Sequence, residues 1–223
     1  MAPTARPLSP PQARRFAAAM EHLRAGRRQQ ALDDARALWR DAPDALDARQ
    51  LLAMCLAEAG DVDGADAAFK AALALAPGNA QVALNAATWW RRRGPPDAAL
   101  GVLENLPESA PVRLQQGLAA LEAGDPARAR AVLERAVQLD PNATAAWHGL
   151  TNALRAAGDL DAAQAAARRV VALAPTRSAG WFNLGTLLRE AGRVEEALQA
   201  LQRAQALGDA SPELRDALHG VLH

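Results

Sequence analysis

Apolar side chains recur along this sequence in short helical stripes, and the clearest example runs from Trp181 to Leu207. Two amphipathic segments lie there on either side of the Ala191–Gly192 pair. Apolar residues spaced by three and four positions are typical of a helix that buries one face. The stretch therefore predicts two helices joined by a tight turn, and earlier copies of it lie upstream at a nearly constant spacing.

Glycine marks this repeat, at successive intervals of 34, 34, 30, 34 and 34 residues. The glycines are Gly26, Gly60, Gly94, Gly124, Gly158 and Gly192. Five positions after each glycine stands an alanine: Ala31, Ala65, Ala99, Ala129, Ala163 and Ala197. Glycine in the left-handed conformation commonly closes a helix, and a methyl side chain lets two antiparallel helices approach closely. We therefore predict six helix-turn-helix units.

The residues around each glycine also fit helix ends. Aspartates suited to cap a helix follow three of the glycines, namely Asp61, Asp125 and Asp159. Prolines suited to a first helical turn stand at Pro95, Pro96 and Pro126. A second proline series is predicted to end the second helices of the first five units: Pro43, Pro77, Pro111, Pro141 and Pro175.

The unit resembles the tetratricopeptide repeat, and the resemblance covers about residues 12–211. The last unit matches the family pattern at Trp181, Leu184, Gly185, Gly192 and Ala197, and the second at Leu52, Ala53, Gly60, Ala65, Phe69, Ala72 and Pro77. The tyrosine usual in the first helix of the family unit is absent throughout. The resemblance implies an all-α, right-handed superhelical solenoid, in which the first helices line a concave groove that binds extended or helical peptides.

We divide the chain into a leader, an array and a cap. The proline-rich leader, residues 1–11, is expected to be disordered or extended. The array spans residues 12–211, with units at about 12–45, 46–79, 80–109, 110–143, 144–177 and 178–211. The third unit is four residues short, so we expect its second helix to end near Leu106, with an irregularity there. Residues 212–223 are expected to form a C-terminal capping helix, because Ser211 and Pro212 suit a helix start.

Composition narrows the function classes. The chain has 25 basic and 25 acidic residues, which disfavours a nucleic-acid partner. Lys70 is the single lysine, which we interpret as codon bias in a GC-rich, bacterial genome. Cys55 is the single cysteine, so a disulfide framework is excluded. Without an apolar run of roughly 20 residues or a secretory signal, we expect a cytoplasmic protein with no membrane contact.

No constellation of residues predicts catalysis, a metal or a cofactor. His219 and His223 share a helical spacing, but no carboxylate or cysteine partner lies nearby. Trp89 and Trp90 beside three arginines suggest base stacking, yet Trp90 occupies a core position of the family pattern. We therefore expect a protein that is not an enzyme and binds no cofactor.

On the first helix of each unit, the residues predicted to face the groove form a stripe, and this stripe changes from apolar to polar along the array. Asparagine can bond a peptide backbone in both directions, and arginine can hold a carboxylate. The candidate peptide-binding residues are Asn85, Arg91, His148, Asn152, Arg155, Phe182, Asn183, Thr186 and Arg189. Three leucines in the fourth unit indicate either a hydrophobic pocket or a register misread because of the deletion: Leu114, Leu118 and Leu121.

The most consistent hypothesis is an interaction scaffold that binds a peptide or protein segment with acidic or carboxylate groups, as a monomer or homodimer. One alternative is the N-terminal interaction or targeting region of a larger bacterial enzyme. Another is a module that associates with itself.

Overall fold

The computed structural model describes residues 6–93 and 96–222, and within those ranges every regular element is an α-helix. The prediction of an all-α repeat fold is confirmed. In chain order the helices are α1 (Pro10–Arg24), α2 (Arg28–Asp41), α3 (Leu46–Ala59), α4 (Val62–Leu75), α5 (Ala80–Arg93), α6 (Pro96–Leu103), α7 (Ala110–Glu122), α8 (Pro126–Leu139), α9 (Thr144–Ala156), α10 (Leu160–Leu173), α11 (Ser178–Glu190), α12 (Val194–Ala206) and α13 (Pro212–Leu222).

The helices pack as consecutive pairs in two compact units, which divide between Pro107 and Glu108. In the N-terminal unit α1 packs on α2, α3 on α4 and α5 on α6, while α3 also contacts α2 and α5 contacts α4. The C-terminal unit repeats this order from α7 to α12, and α13 packs on α11 and α12. Within each unit a pair thus buries its apolar stripe against its neighbours, as a stacked repeat requires.

The glycine and alanine predictions are confirmed wherever the structure describes those residues. Gly60 closes α3 in the left-handed conformation with φ of 84°, and the other described repeat glycines have φ between 70° and 80°. The repeat alanines are all at most 1% exposed. Asp61 caps α4 by accepting a hydrogen bond from the Gly64 backbone N–H at 2.9 Å. Gly94 and Pro95 lie outside the described residues.

The third hairpin departs from the prediction. Helix α6 has 8 residues, whereas α4 has 14, and it ends at Leu103 rather than near Leu106. Because Pro107 disfavours the helical conformation at the preceding residue, Leu106 cannot continue α6 easily. The link to α7 is consequently longer than the others, and Pro111 lies inside the first turn of α7 instead of ahead of the helix.

The helix at each end of the array has proline as its first residue. Helix α1 begins at Pro10, so the last two residues of the predicted leader, Pro10 and Pro11, are helical, as proline in a first turn allows. At the other end, Ser211 Oγ accepts a hydrogen bond from the Leu214 backbone N–H at 3.2 Å and starts α13. The first five residues of the expected leader lie outside the described ranges, as does His223. In the part of the chain that the structure describes, no helix combines the length and apolarity of a membrane crossing.

Candidate functional site: the faces of the first helices

The predicted groove positions of the N-terminal unit are accessible but not fully exposed. On α3 the residues Gln50, Met54 and Ala57 are half-buried, whereas their neighbours Leu51 and Ala53 are fully buried. The equivalent groove positions of the other two first helices are half-buried as well: Phe16, Met20 and Leu23 on α1, and Leu84, Thr88 and Arg91 on α5. A face of this kind lies beside the shared core and still reaches solvent. It is therefore available to a ligand.

In the N-terminal unit this face contains a pocket of about 180 Å³. Three successive first helices line it, through Leu23 of α1, Met54 of α3 and Thr88 of α5. Asn85 stands at the same pocket, and its Oδ1 accepts a hydrogen bond from Gln81 Nε2 at 3.1 Å. The site thus combines apolar walls with an amide group. Arg91, also predicted here, is half-buried on α5 and does not line this pocket.

A cationic recess adjoins the pocket and shares Glu58, Trp89 and Arg92 with it. Its lining adds Arg28 and Arg93, so three arginines and one carboxylate residue, Glu58, line the recess. Arg28 Nε lies 4.0 Å from Glu58 Oε2, at the limit of an ion pair. The excess of positive charge favours an anionic group from a ligand.

The two neighbouring tryptophans belong to the core, which argues against base stacking. Trp89 is 8% exposed and Trp90 is 7% exposed. The ring of Trp89 stacks on Phe69 with centroids 6.3 Å apart, and Trp90 Nε1 donates to Asp66 Oδ1 at 2.7 Å. Hydrogen bonds from Lys70 and then from Trp90 lower the pKa of Asp66 below its ordinary value.

In the C-terminal unit, three predicted residues form one polar row. His148 Nε2 lies 2.8 Å from Asn183 Nδ2, which links α9 to α11. His148 Nδ1 lies 3.5 Å from Asn152 Nδ2 on the same helix. The amide nitrogen donates in each contact, and an imidazole offers at most one acceptor nitrogen, so only one of the two contacts is a hydrogen bond in a given tautomer. The shorter contact, between His148 and Asn183, positions these two side chains before any ligand arrives, and Asn152 remains exposed.

The other predicted residues of this unit have partners within the protein. Arg155 forms a bidentate ion pair with Glu190: its Nε lies 3.0 Å from Glu190 Oε2, and its second nitrogen contacts Oε1. Thr186 Oγ1 donates to the Phe182 carbonyl at 3.0 Å, and the Phe182 ring packs against the core of the unit. Arg189 lies against α13, since a Cβ added at Gly220 would be 3.0 Å from its guanidinium.

The leucine stripe of α7 lies in the predicted register. Leu114, Leu118 and Leu121 are all half-buried, as are the stripe positions of α1, α3 and α5. Gly117 stands at the family's glycine position, where an added Cβ would be 2.4 Å from Leu133 Cγ. Gly185 makes the equivalent close approach to Leu201, at 2.7 Å. Because the register holds, the structure supports a hydrophobic face on α7 rather than a misassignment.

Sequence reasoning missed the charged residues that flank both faces. Glu58, Arg92 and Glu190 each stand two positions before a repeat glycine, in the last turn of a first helix. The recurrence of charged residues at this position could have indicated them, because the last turns of the first helices in adjacent repeats lie next to one another. Within the described ranges no group of three or more His, Cys, Asp or Glu residues is placed to hold a metal ion.

Comparisons with known proteins agree with this architecture. Models of the tetratricopeptide repeat match residues 16–80, 78–144, 120–181 and 154–219. No curated protein shows significant sequence similarity to the chain.

Several solved structures share the fold. PilW, a widely conserved type IV pilus biogenesis factor, is 19% identical, with a TM-score of 0.82 over 95% of this chain and 100% of PilW. The APC/C hetero-tetramer Cut9-Hcn1 gives 18% identity and a TM-score of 0.79 over 95% of this chain, which spans only 43% of the matched chain. YrrB, described as a TPR protein with an unusual peptide-binding site, is 20% identical, with a TM-score of 0.60 over 82% of this chain and 96% of YrrB.

Proposed function

Because the chain belongs to the tetratricopeptide repeat family, we propose that it binds a peptide or protein segment along the faces of its first helices. Proteins of this family are in general non-enzymatic scaffolds for protein–protein interaction. The observation that carries the proposal is the pocket that Leu23, Met54 and Thr88 line from three successive first helices. The matched fold of YrrB, whose described property is a peptide-binding site, is consistent with it.

The lining of the N-terminal unit favours a ligand with one apolar and one acidic group. An apolar side chain would enter the pocket beside Met54, a flexible residue that adapts to different shapes. A carboxylate, from an acidic side chain or a chain terminus, would lie at the recess of Arg28, Arg92 and Arg93. Asn85 would contact the peptide main chain between them.

In the C-terminal unit we propose a second contact region for a main-chain segment. Asn152 and Asn183 each offer an amide that can donate and accept, and the contact with His148 positions Asn183. Apolar side chains of the bound peptide would pack on the hydrophobic face of α7, which has Leu118 at its centre. Arg155 contributes less charge to this region than the sequence predicts, because Glu190 neutralises it.

Selection from a random peptide library, followed by fluorescence anisotropy on the enriched peptides, tests this proposal. We expect enriched peptides to carry an apolar residue near an acidic residue or a free C-terminus. Met54→Glu should weaken their binding at least about tenfold, because it places a charge in the apolar pocket. Arg92→Ala combined with Arg93→Ala should weaken acidic peptides selectively.

The double variant Asn152→Ala with Arg155→Ala probes the C-terminal unit separately, and each of these residues is exposed. Thermal melting of every variant controls for folding. Peptides that bind all of these variants as tightly as the wild-type chain would show that neither first-helix face is the binding site.

A further inference from the structure

A second groove in the N-terminal unit lies between the second helices α2 and α4, with α3 as its floor. Two adjoining pockets of about 610 and 240 Å³ form it, and they share Trp39, Leu52 and Leu56. We name it the Trp39 groove. Its α2 wall consists of Asp33, Arg36, Trp39 and Arg40, and its α4 wall of Gly64, Ala67, Ala68 and Ala71.

The repeats themselves show that this groove is unusual. In the C-terminal unit the residues at the same repeat positions as Trp39, Leu52 and Ala68 are buried. They are Val137 at 8%, Leu150 at 4% and Ala166 at 3% exposure. In the N-terminal unit Trp39 is 41% exposed, and Leu52 and Ala68 are both half-buried. The N-terminal unit therefore leaves open a surface that its counterpart buries.

Two substitutions between the repeats explain the opening. In the C-terminal unit Trp147 Nε1 and Arg169 donate to the Pro141 carbonyl at 2.9 and 3.5 Å, so two long side chains converge beside the groove. The residue equivalent to Trp147 is Arg49, which reaches the Pro43 carbonyl at 2.8 Å but has no aromatic ring. The residue equivalent to Arg169 is Ala71, whose methyl group cannot reach across.

We propose that the Trp39 groove binds an amphipathic α-helix of a partner protein, with an apolar ridge and an acidic flank. A helix fits because α2, α3 and α4 use their own backbone groups internally, so an extended segment would find no ladder partners there. The small side chains of α4 allow a helix to approach closely. Trp39 supplies a large apolar surface of the kind that dominates interface energies.

Charge at the rim selects the acidic flank. Arg36 and Arg40 are exposed on the α2 wall, one helical turn apart, and Arg49 lies at the α3 side. Asp33 is the single acidic residue that lines the groove, and its Oδ1 accepts a hydrogen bond from Gln29 Nε2 at 3.0 Å. The α4 wall is uncharged. The rim therefore carries a net positive charge, which complements glutamate or aspartate on one side of the ligand helix.

The length of the groove sets the length of the ligand. Helices α2 and α4 have 14 residues each, and at roughly 1.5 Å per residue each wall is about 20 Å long. A partner helix of three to four turns fills that length. The probe is therefore a fluorescein-labelled amphipathic helical peptide of this length, with leucines on one face and glutamates on one flank.

Fluorescence anisotropy with this peptide tests the proposal on the full chain. Ala71→Arg installs the residue found at the same position in the C-terminal unit, and we expect it to weaken binding at least about tenfold by occupying the groove. Arg36→Glu combined with Arg40→Glu should weaken binding about threefold to tenfold, and a peptide with lysines in place of the glutamates should regain the loss. Because Arg36 and Arg40 are exposed, the double variant is expected to fold normally.

Two controls separate this groove from the first-helix faces. Met54→Glu removes the pocket on the other face of α3 as a second site for this peptide, so the binding that remains in this variant reports the Trp39 groove, and adding Ala71→Arg to it should weaken that binding at least about tenfold. A shuffled peptide of the same composition should not bind. Unchanged affinity in both groove variants, loss of binding in Met54→Glu, or no binding of the amphipathic peptide to the wild-type chain would each overturn the proposal.

Discussion

Replacing Gly185 by alanine should destabilise the C-terminal unit, although alanine is the better helix former. Gly185 lies inside α11, where an added Cβ would be 2.7 Å from two atoms of the Leu201 side chain. The Ala197 carbonyl oxygen would be 3.2 Å away, and it belongs to the backbone of α12. Leu201 is 0% exposed, so its side chain cannot move aside into solvent. Overpacking of a core costs about 1–3 kcal/mol, whereas the gain in helix propensity is about 1 kcal/mol. We expect a net loss of up to about 2 kcal/mol.

Gly101→Ala is the matched control for this substitution. Gly101 also lies inside a helix, α6, but an added Cβ there would meet nothing within 4 Å. Only the gain in propensity remains, so this variant should be more stable by about 0.5–1 kcal/mol. Urea unfolding followed by circular dichroism measures both changes. A Gly185→Ala variant that gains as much stability as Gly101→Ala would show that α11 and α12 are not held at this close approach.

Three further predictions follow from buried or paired groups. Ala163→Leu should cost roughly 1–3 kcal/mol in thermal or urea unfolding, because Ala163 is 0% exposed at a helix crossing; an unchanged transition would contradict the packing. Hydrogen bonds from Arg135 and then from Arg113 lower the pKa of Glu108 from 4.5 to about 2. The ionised Glu108 carboxylate therefore stabilises the folded state above pH 4.5, and this stabilisation is lost as the pH falls towards 2. The difference in melting temperature between the wild-type chain and Glu108→Gln should vanish between these two pH values. Burial raises the pKa of Cys55 to about 11, and the negative charges of Asp34 and Glu58 contribute less to this rise. At about pH 8 the thiol should therefore react with a disulfide reagent only once the chain is unfolded.

The sequence predicts the repeat architecture well because its signals act locally. A glycine such as Gly60 closes a helix through its own backbone conformation, and an alanine such as Ala65 is buried by the pairing of two adjacent helices. Both effects arise within one hairpin. The end of α6 was misplaced because the nearby Pro107 acts on the residue before it and outweighs the apolar pattern that continues to Leu106.

The candidate site was less predictable, because it depends on contacts between repeats. The sequence placed Arg155 on an accessible face, but its ion pair with Glu190 of the next repeat cannot be inferred from helical spacing alone. The Trp39 groove likewise results from side chains that are too short to close it. Alignment of Arg49 and Ala71 with Trp147 and Arg169 would have indicated the difference, but not the open volume.

The contacts between neighbouring hairpins also bear on how the chain folds. The hydrogen bond between Trp90 and Asp66 joins residues 24 positions apart in the sequence, and the contact between His148 and Asn183 joins residues 35 positions apart. Contacts this close in sequence carry a small loop-closure entropy, and proteins rich in them fold quickly. A ribosome adds about 5–20 residues per second, so a new hairpin emerges every few seconds. Within each unit a hairpin can therefore dock on the one before it during synthesis, and the nascent chain exposes one unpaired apolar stripe at a time.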